Sequence, residues 1–130
     1  MPQRILIVDS SKMVRRVLGQ RLAGPDRLVV TAGSSNQALA KLIRESFDLI
    51  STALDLPDES GLAFILAVRR LPGYASTPII VVSGSTLDMQ ASVRQLGISA
   101  VINKKDGIAA LTNALMLRCT QEARTASLMS

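Results

Sequence analysis

Arg4-Ile5-Leu6-Ile7-Val8-Asp9-Ser10-Ser11 decides the class of this chain. A short, β-branched apolar run ended by an acid and two serines reads as a buried strand followed by helix-capping chemistry. A helix follows at once. Met13, Val14, Val17, Leu18 and Leu22 return at helical spacing with Lys12, Arg15, Arg16 and Arg21 on the other side, until Gly24-Pro25 stops the pattern.

The same unit then repeats in kind, with no repeat of sequence. Leu28–Ala32 is a second strand, and Gly33-Ser34-Ser35-Asn36 leads into a helix through Ala38, Leu39, Leu42 and Ile43 that Phe47 closes. Leu49–Ala53 is the third strand; a polar, proline-containing loop over residues 54–60 precedes a helix that Gly61 opens and Leu71-Pro72-Gly73 ends. Pro78–Val82 is the fourth strand, followed by Ser83-Gly84. Ser85-Thr86-Leu87-Asp88 has capping-box form, and Met89, Val93 and Leu96 form an apolar stripe up to Gly97. Ala100–Ile102 is the fifth strand. After Asn103-Lys104-Lys105-Asp106-Gly107, the residues Ile108, Leu111, Leu115 and Leu117 mark the fifth helix. A domain over residues 1–119 is expected, with the small, polar stretch 120–130 as a frayed tail or linker.

Five strands alternating with five helices predict an α/β domain, a doubly wound parallel sheet with helices on both faces. Ligands of such sheets bind beyond the carboxyl ends of the strands. Asp9, Ala53, Ser83 and Lys104 follow or end strands one, three, four and five, so function is sought there.

Composition narrows the classes. The chain has 130 residues, 48% of them hydrophobic, which suits one domain that buries a sheet on both faces. Its apolar runs fall short of the roughly 18 residues of a membrane span, and the N-terminus lacks the layout of a signal peptide. A soluble cytoplasmic protein is expected. Cys119 is the single cysteine and histidine is absent, which excludes an intrachain disulfide and a Cys/His metal cluster and removes the usual general base. The net charge of +5 resides in residues 1–46, where Arg4, Lys12, Arg15, Arg16, Arg21, Arg27, Lys41 and Arg44 face only Asp9, Asp26 and Glu45. Such a face could attract an acidic partner, although most charged helix faces are simply solvated. With Phe47, Phe64 and Tyr74 as the only aromatic residues there is little to stack on bases, and no direct nucleic-acid binding is expected.

Residues 5–18, the pair of segments Phe47-Asp48-Leu49-Ile50 and Leu56 to Leu62, Pro78 to Gly84 and the region of Lys104 together resemble the receiver domain of bacterial two-component response regulators. The resemblance runs from Arg4 to about Cys119 and implies a (βα)5 flavodoxin-like fold with strand order 2-1-3-4-5. It also implies phosphoryl transfer from a histidine kinase to an aspartate, assisted by Mg²⁺ held by that aspartate and two acids after strand one. Carried over residue by residue, Asp9 takes the first acid position, Ser10 the second, and Ala53 the phosphoacceptor position, which is reached both back from Pro57 and forward from Asp48. Ser83 takes the hydroxyl switch position, Lys104 that of the phosphoryl-contacting lysine, and Val101 one often held by a switching Tyr or Phe. Lys105 stands where a proline usually follows the lysine, so the cis peptide common there is not expected.

The departures decide the chemistry. An acyl phosphate forms by attack of a carboxylate oxygen, which the Ala53 methyl group does not offer. Mg²⁺ wants octahedral oxygens, usually with one or two carboxylates; Asp9 and the loop residue Asp55 leave at best a weak, residual site, so no cofactor is expected. Asp9 and Lys104 are expected to pair with each other. Asp55, Asp58 and Glu59 read as a solvated acidic loop, and Asp55 lies too near Pro57 to replace the acceptor.

The expected function is that of a non-enzymatic interaction or dimerisation module working without its own phosphorylation. Its implied partners are a histidine kinase, phosphotransferase or output domain. Dimers would form through helix four, strand five and helix five, with Met89, Arg94, Val101 and Lys105, and kinase-side partners would dock on Lys12, Arg15 and Arg16. One alternative is a genuine phosphoreceiver in which alanine has been engineered at position 53, against which Ser10 argues; codon 53 of the gene discriminates. Another is a flavodoxin-like binder of FMN or a nucleotide, holding phosphate at Gly33-Ser34-Ser35 or Ser83-Gly84-Ser85. Asp9-Ser10-Ser11-Lys12 lacks the glycines and spacing of a phosphate loop.

Overall fold

The computed structural model describes residues 2–84 and 89–129. Five strands, β1 (Gln3–Val8), β2 (Arg27–Ala32), β3 (Leu49–Ala53), β4 (Ile79–Ser83) and β5 (Ile98–Asn103), form one sheet in the order β2-β1-β3-β4-β5. Every pairing is parallel. Both the class and the strand order are those expected. The helices are α1 (Lys12–Leu22), α2 (Ser35–Arg44), α3 (Gly61–Arg70), α4 (Gln90–Leu96) and α5 (Ile108–Met129), with a 3₁₀ turn over Lys104–Asp106 between β5 and α5.

Strand side chains alternate in direction, and two cores follow. Leu6, Val8, Ile50, Ile79 and Val81 pack on one face with Ala38 and Leu42 of α2 and Phe64, Ile65 and Val68 of α3. Ile5, Ile7, Leu49, Ile80 and Val82 pack on the other with Val14, Leu18 and Leu22 of α1 and Leu111, Leu115 and Cys119 of α5. Each fully buried Leu, Ile or Phe contributes roughly 1.5–3 kcal/mol by leaving water, so the sheet is the rigid base on which its loops are set.

Serine starts three helices. The hydroxyls of Ser11, Ser34 and Ser60 accept from the amides of Val14, Gln37 and Ala63, opening α1, α2 and α3. Gly61 does more than open α3: a Cβ there would collide with the Ala53 carbonyl oxygen and lie 2.8 Å from Leu54 Cα. Its amide donates to Leu54 O at 2.7 Å. The missing side chain is what lets α3 begin directly against the end of β3.

Differences from the sequence reading are local. α2 ends at Arg44, and Phe47 is buried in the connection to β3 instead of closing the helix. The stretch from Thr120, expected to fray or act as a linker, continues α5 through Met129. Good helix formers carry it where the apolar stripe ends, and Thr120 and Thr125 donate to the carbonyls of Met116 and Gln121. No peptide bond among the described residues is cis, in line with Lys105. The capping-box reading of Ser85-Thr86-Leu87-Asp88 lies outside the described residues. No helix of the described residues is long and apolar enough to cross a membrane.

Candidate functional site

The strand order sets the site. β1, β3, β4 and β5 deliver Asp9, Ala53, Ser83 and Lys104 to one edge, with Val8 beside Thr52, Ala53 beside Val82, and Ser83 beside Asn103.

Asp9 is its centre and is almost wholly buried, at 3% exposure. Its Oδ1 accepts from Ser11 N at 2.9 Å, a local turn that also presents Ser11 to cap α1. Its Oδ2 accepts from Lys104 Nζ at 2.8 Å. The ends of β3 and β4 lie between these partners, so the lysine crosses over them to reach Asp9. The expected pairing is therefore present, between a buried carboxylate and an ammonium whose side chain is 33% exposed. Arg15 adds a second cation, its Nη1 donating to the Asp9 carbonyl at 2.7 Å.

The remaining positions are uncharged. Ala53 is 5% exposed and presents a methyl group. Ser10 is exposed. Thr52 Oγ1 donates to Ala53 O at 3.0 Å, a local bond within β3. Ser83 is buried at the end of β4, whereas Val101 points outward from β5 at 43% exposure.

The acidic loop is exposed at Asp55, Asp58 and Glu59, as its reading as solvated expects, but two of these acids also make specific bonds. Asp58 spans the first amides of α2, accepting from Ser35 N at 3.0 Å and Asn36 N at 2.8 Å. Glu59 accepts from the buried Ser35 hydroxyl. The Asn36 amide foremost, with that of Ser35, holds the Asp58 carboxyl below the usual carboxylate range against a smaller opposing effect of burial. A helix N-terminus attracts an anion, and here the chain supplies its own. That also removes Gly33-Ser34-Ser35 as a phosphate cradle, because the amides it would offer are taken. The Ser83-Gly84-Ser85 turn runs into residues outside the description.

Asp55 is exposed and bridges to Ser60 within the loop. Among the described residues no group of three or more Asp, Glu, Cys or His side chains comes together to hold a metal.

Two roles of consequence went unread in the sequence, one of them that of an acid placed only in a solvated loop. Asp58 acts on amides more than twenty positions back, and Arg69 donates to four main-chain carbonyls in two other segments. Neither contact has a local sequence signal, since acids in loops and arginines at helix ends are ordinary.

Comparison with known proteins agrees with this geometry. The response regulator receiver domain model matches residues 5–116. A protein-glutamate methylesterase/protein-glutamine glutaminase of Myxococcus xanthus is 31% identical over 113 residues, 83% of this chain and 32% of that protein. The transcriptional regulatory protein GlrR of Escherichia coli is 28% identical over 79% of this chain and 23% of its own length. This chain thus spans about a quarter to a third of the curated relatives it matches. Among solved structures, the chemotaxis response regulator CheY4 of Vibrio cholerae superposes with a TM-score of 0.80 at 27% identity, covering 92% of this chain and 99% of that one. The response regulator domain of Thermotoga maritima CheB gives 0.80 at 23% identity over 94% and 96%, a likeness of fold. The chain belongs to the response regulator receiver domain family.

Proposed function

We propose that this receiver domain works as a cytoplasmic protein-interaction module in two-component signalling, without phosphorylation at residue 53 and without enzymatic activity of its own. The observation that carries the reading is the pairing of Lys104 with Asp9 across a strand end that holds Ala53. A receiver site needs a carboxylate nucleophile and excess negative charge for a metal. Here a methyl group replaces the nucleophile, and the one buried carboxylate is matched by a lysine. Nor do the residues present fit magnesium, which takes six oxygens at short, regular distances: both oxygens of Asp9 already have partners, and Ser10 brings no charge. Asp9 and Asp55 therefore constitute a weak metal site at best.

In this reading Lys104 holds the edge in one arrangement, and Ser83 and Val101 stay as they are without a phosphoryl group to move them. The faces that remain are α4–β5–α5, with Arg94, Val101 and Lys105 exposed, and α1, with Lys12 and Arg16 exposed. The first suits a second copy or an output domain, and the second a histidine kinase or phosphotransferase. Curated relatives several times longer, among them methylesterases and a transcriptional regulator, support an output domain as partner.

The test is intact-mass analysis after incubation with a small acyl-phosphate donor and Mg²⁺. The chain is expected to gain no phosphoryl group, while the Ser10→Asp/Ala53→Asp double variant gains one at residue 53. A phosphoryl adduct on the unaltered chain, at Asp55 or elsewhere, overturns the proposal.

A further inference from the structure

Arg69, one residue from the end of α3, makes the densest set of side-chain bonds described in the molecule. Nε donates to Leu96 O at 2.8 Å and Nη2 to Gly97 O at 2.9 Å. Nη1 donates to Thr77 O at 2.6 Å and Tyr74 O at 3.0 Å. All four acceptors are main-chain carbonyls, and among the described residues no carboxylate pairs with this guanidinium. Burial lowers its pKa, yet a guanidinium remains charged throughout the accessible range.

Two of the acceptors, Leu96 and Gly97, are the last carbonyls of α4, the negative pole of the helix, which its own backbone leaves unsatisfied. The other two lie in the segment that enters β4. Gly97 closes α4 in the left-handed region at φ 64, and a Cβ there would stand 3.5 Å from Nη2, so the guanidinium rests directly on the turn. The opposite end of α4 is different. Its N-cap residue, Met89, gives no side-chain capping bond, and the helix has only seven residues. A helix of that length does not persist by itself. α4 is thus held at its C-terminal end by these bonds, while Met89 at its other end packs into the core.

We propose that Arg69 is a positioning residue that fixes the C-terminal end of α4 to α3 and to the entry of β4. This rests on the reading of α4–β5–α5 as an interaction face, because the anchor then sets where Arg94 and Gln95 are presented. The planar fork is essential: a lysine keeps the charge but reaches one or two carbonyls, not four.

Amide hydrogen exchange on the isolated chain tests the proposal without any partner, so its failure is separate from failure of the interaction reading. Arg69→Met is expected to speed exchange across residues 91–97 by about tenfold or more, as loss of two charge-assisted bonds implies, with β1 and β3 within about twofold of the parent. Arg69→Lys falls between. Arg70→Met, which alters an exposed neighbour, leaves α4 unchanged. Exchange that rises evenly in all elements, or α4 rates unaffected by Arg69→Met, overturns the proposal. If Arg69→Met does not fold, the Arg69→Lys profile alone decides: faster exchange confined to α4 supports the anchor, and any other pattern refutes it.

Discussion

The two edges of the sheet are held in opposite ways. At the edge where β1 and β3 begin, Arg4 and Asp48 exchange backbone and side-chain bonds, Arg4 N to Asp48 Oδ2 at 2.8 Å and Asp48 N to Arg4 O at 2.7 Å. The Arg4 side chain adds Glu45 Oε1 at 2.5 Å, Ser46 O at 2.8 Å and the face of Phe47 at 5.5 Å, and the Tyr74 hydroxyl donates to Glu45 O. At the edge where the strands end, a single ion pair joins β1 to the end of β5. The first edge is redundant and mostly wet; among the described residues the second has one ion pair, made on a buried carboxylate. Redundant surface contacts tolerate loss, whereas removing one partner of a buried pair leaves the other uncompensated.

The largest effect is therefore expected at the sparse edge. Lys104→Met should lower stability by about 2 kcal/mol in urea unfolding, somewhat less than for a fully dry pair because a third of the lysine meets water. The Asp9→Asn/Lys104→Met double variant should lose less than the sum of the single changes. Strict additivity would show that the two groups are not coupled and erase the contrast between edges.

A smaller change is expected at the redundant edge. Arg4→Met should cost under about 1 kcal/mol, since the partners Arg4 and Glu45 are 29% and 39% exposed and the backbone bonds to Asp48 survive. A loss equal to that of Lys104→Met would make the two edges equivalent.

The smallest effect concerns Asp58 and sharpens the comparison by pH. Because its folded-state pKa is lowered, the stability it contributes is present at neutral pH and is lost as pH falls through that lowered value. Asp58→Ala should thus reduce the melting temperature at pH 7, and the difference from the parent should close in strong acid. A difference that stays constant with pH would mean that the carboxylate charge does not act on α2.

Much of this was legible from order and spacing. The five apolar runs gave the strands to within a residue or two, because aliphatic residues, many of them β-branched, dominate each run even where β3 carries Ser51 and Thr52 and where β2 and β5 are partly exposed. Asp9 and Lys104 were readable as partners because the fold class puts both at one end of the sheet. What escaped was non-local or weakly patterned. Asp58 and Arg69 bond to main-chain groups, which carry no residue identity and leave no mark in sequence. The end of α5 escaped because Gln121, Glu122, Ala123 and Arg124 favour a helix without the apolar stripe that announces one.

Tyr74 gives the asymmetry of the edges an optical consequence. The chain has one tyrosine and no tryptophan, and that tyrosine is buried with its hydroxyl bonded to Glu45 O at 2.7 Å. Its intrinsic emission and near-ultraviolet dichroism accordingly report on the Arg4–Glu45 edge and are silent about Asp9 and Lys104. A spectroscopist watching this protein by its own light would see the edge that is hardest to disturb.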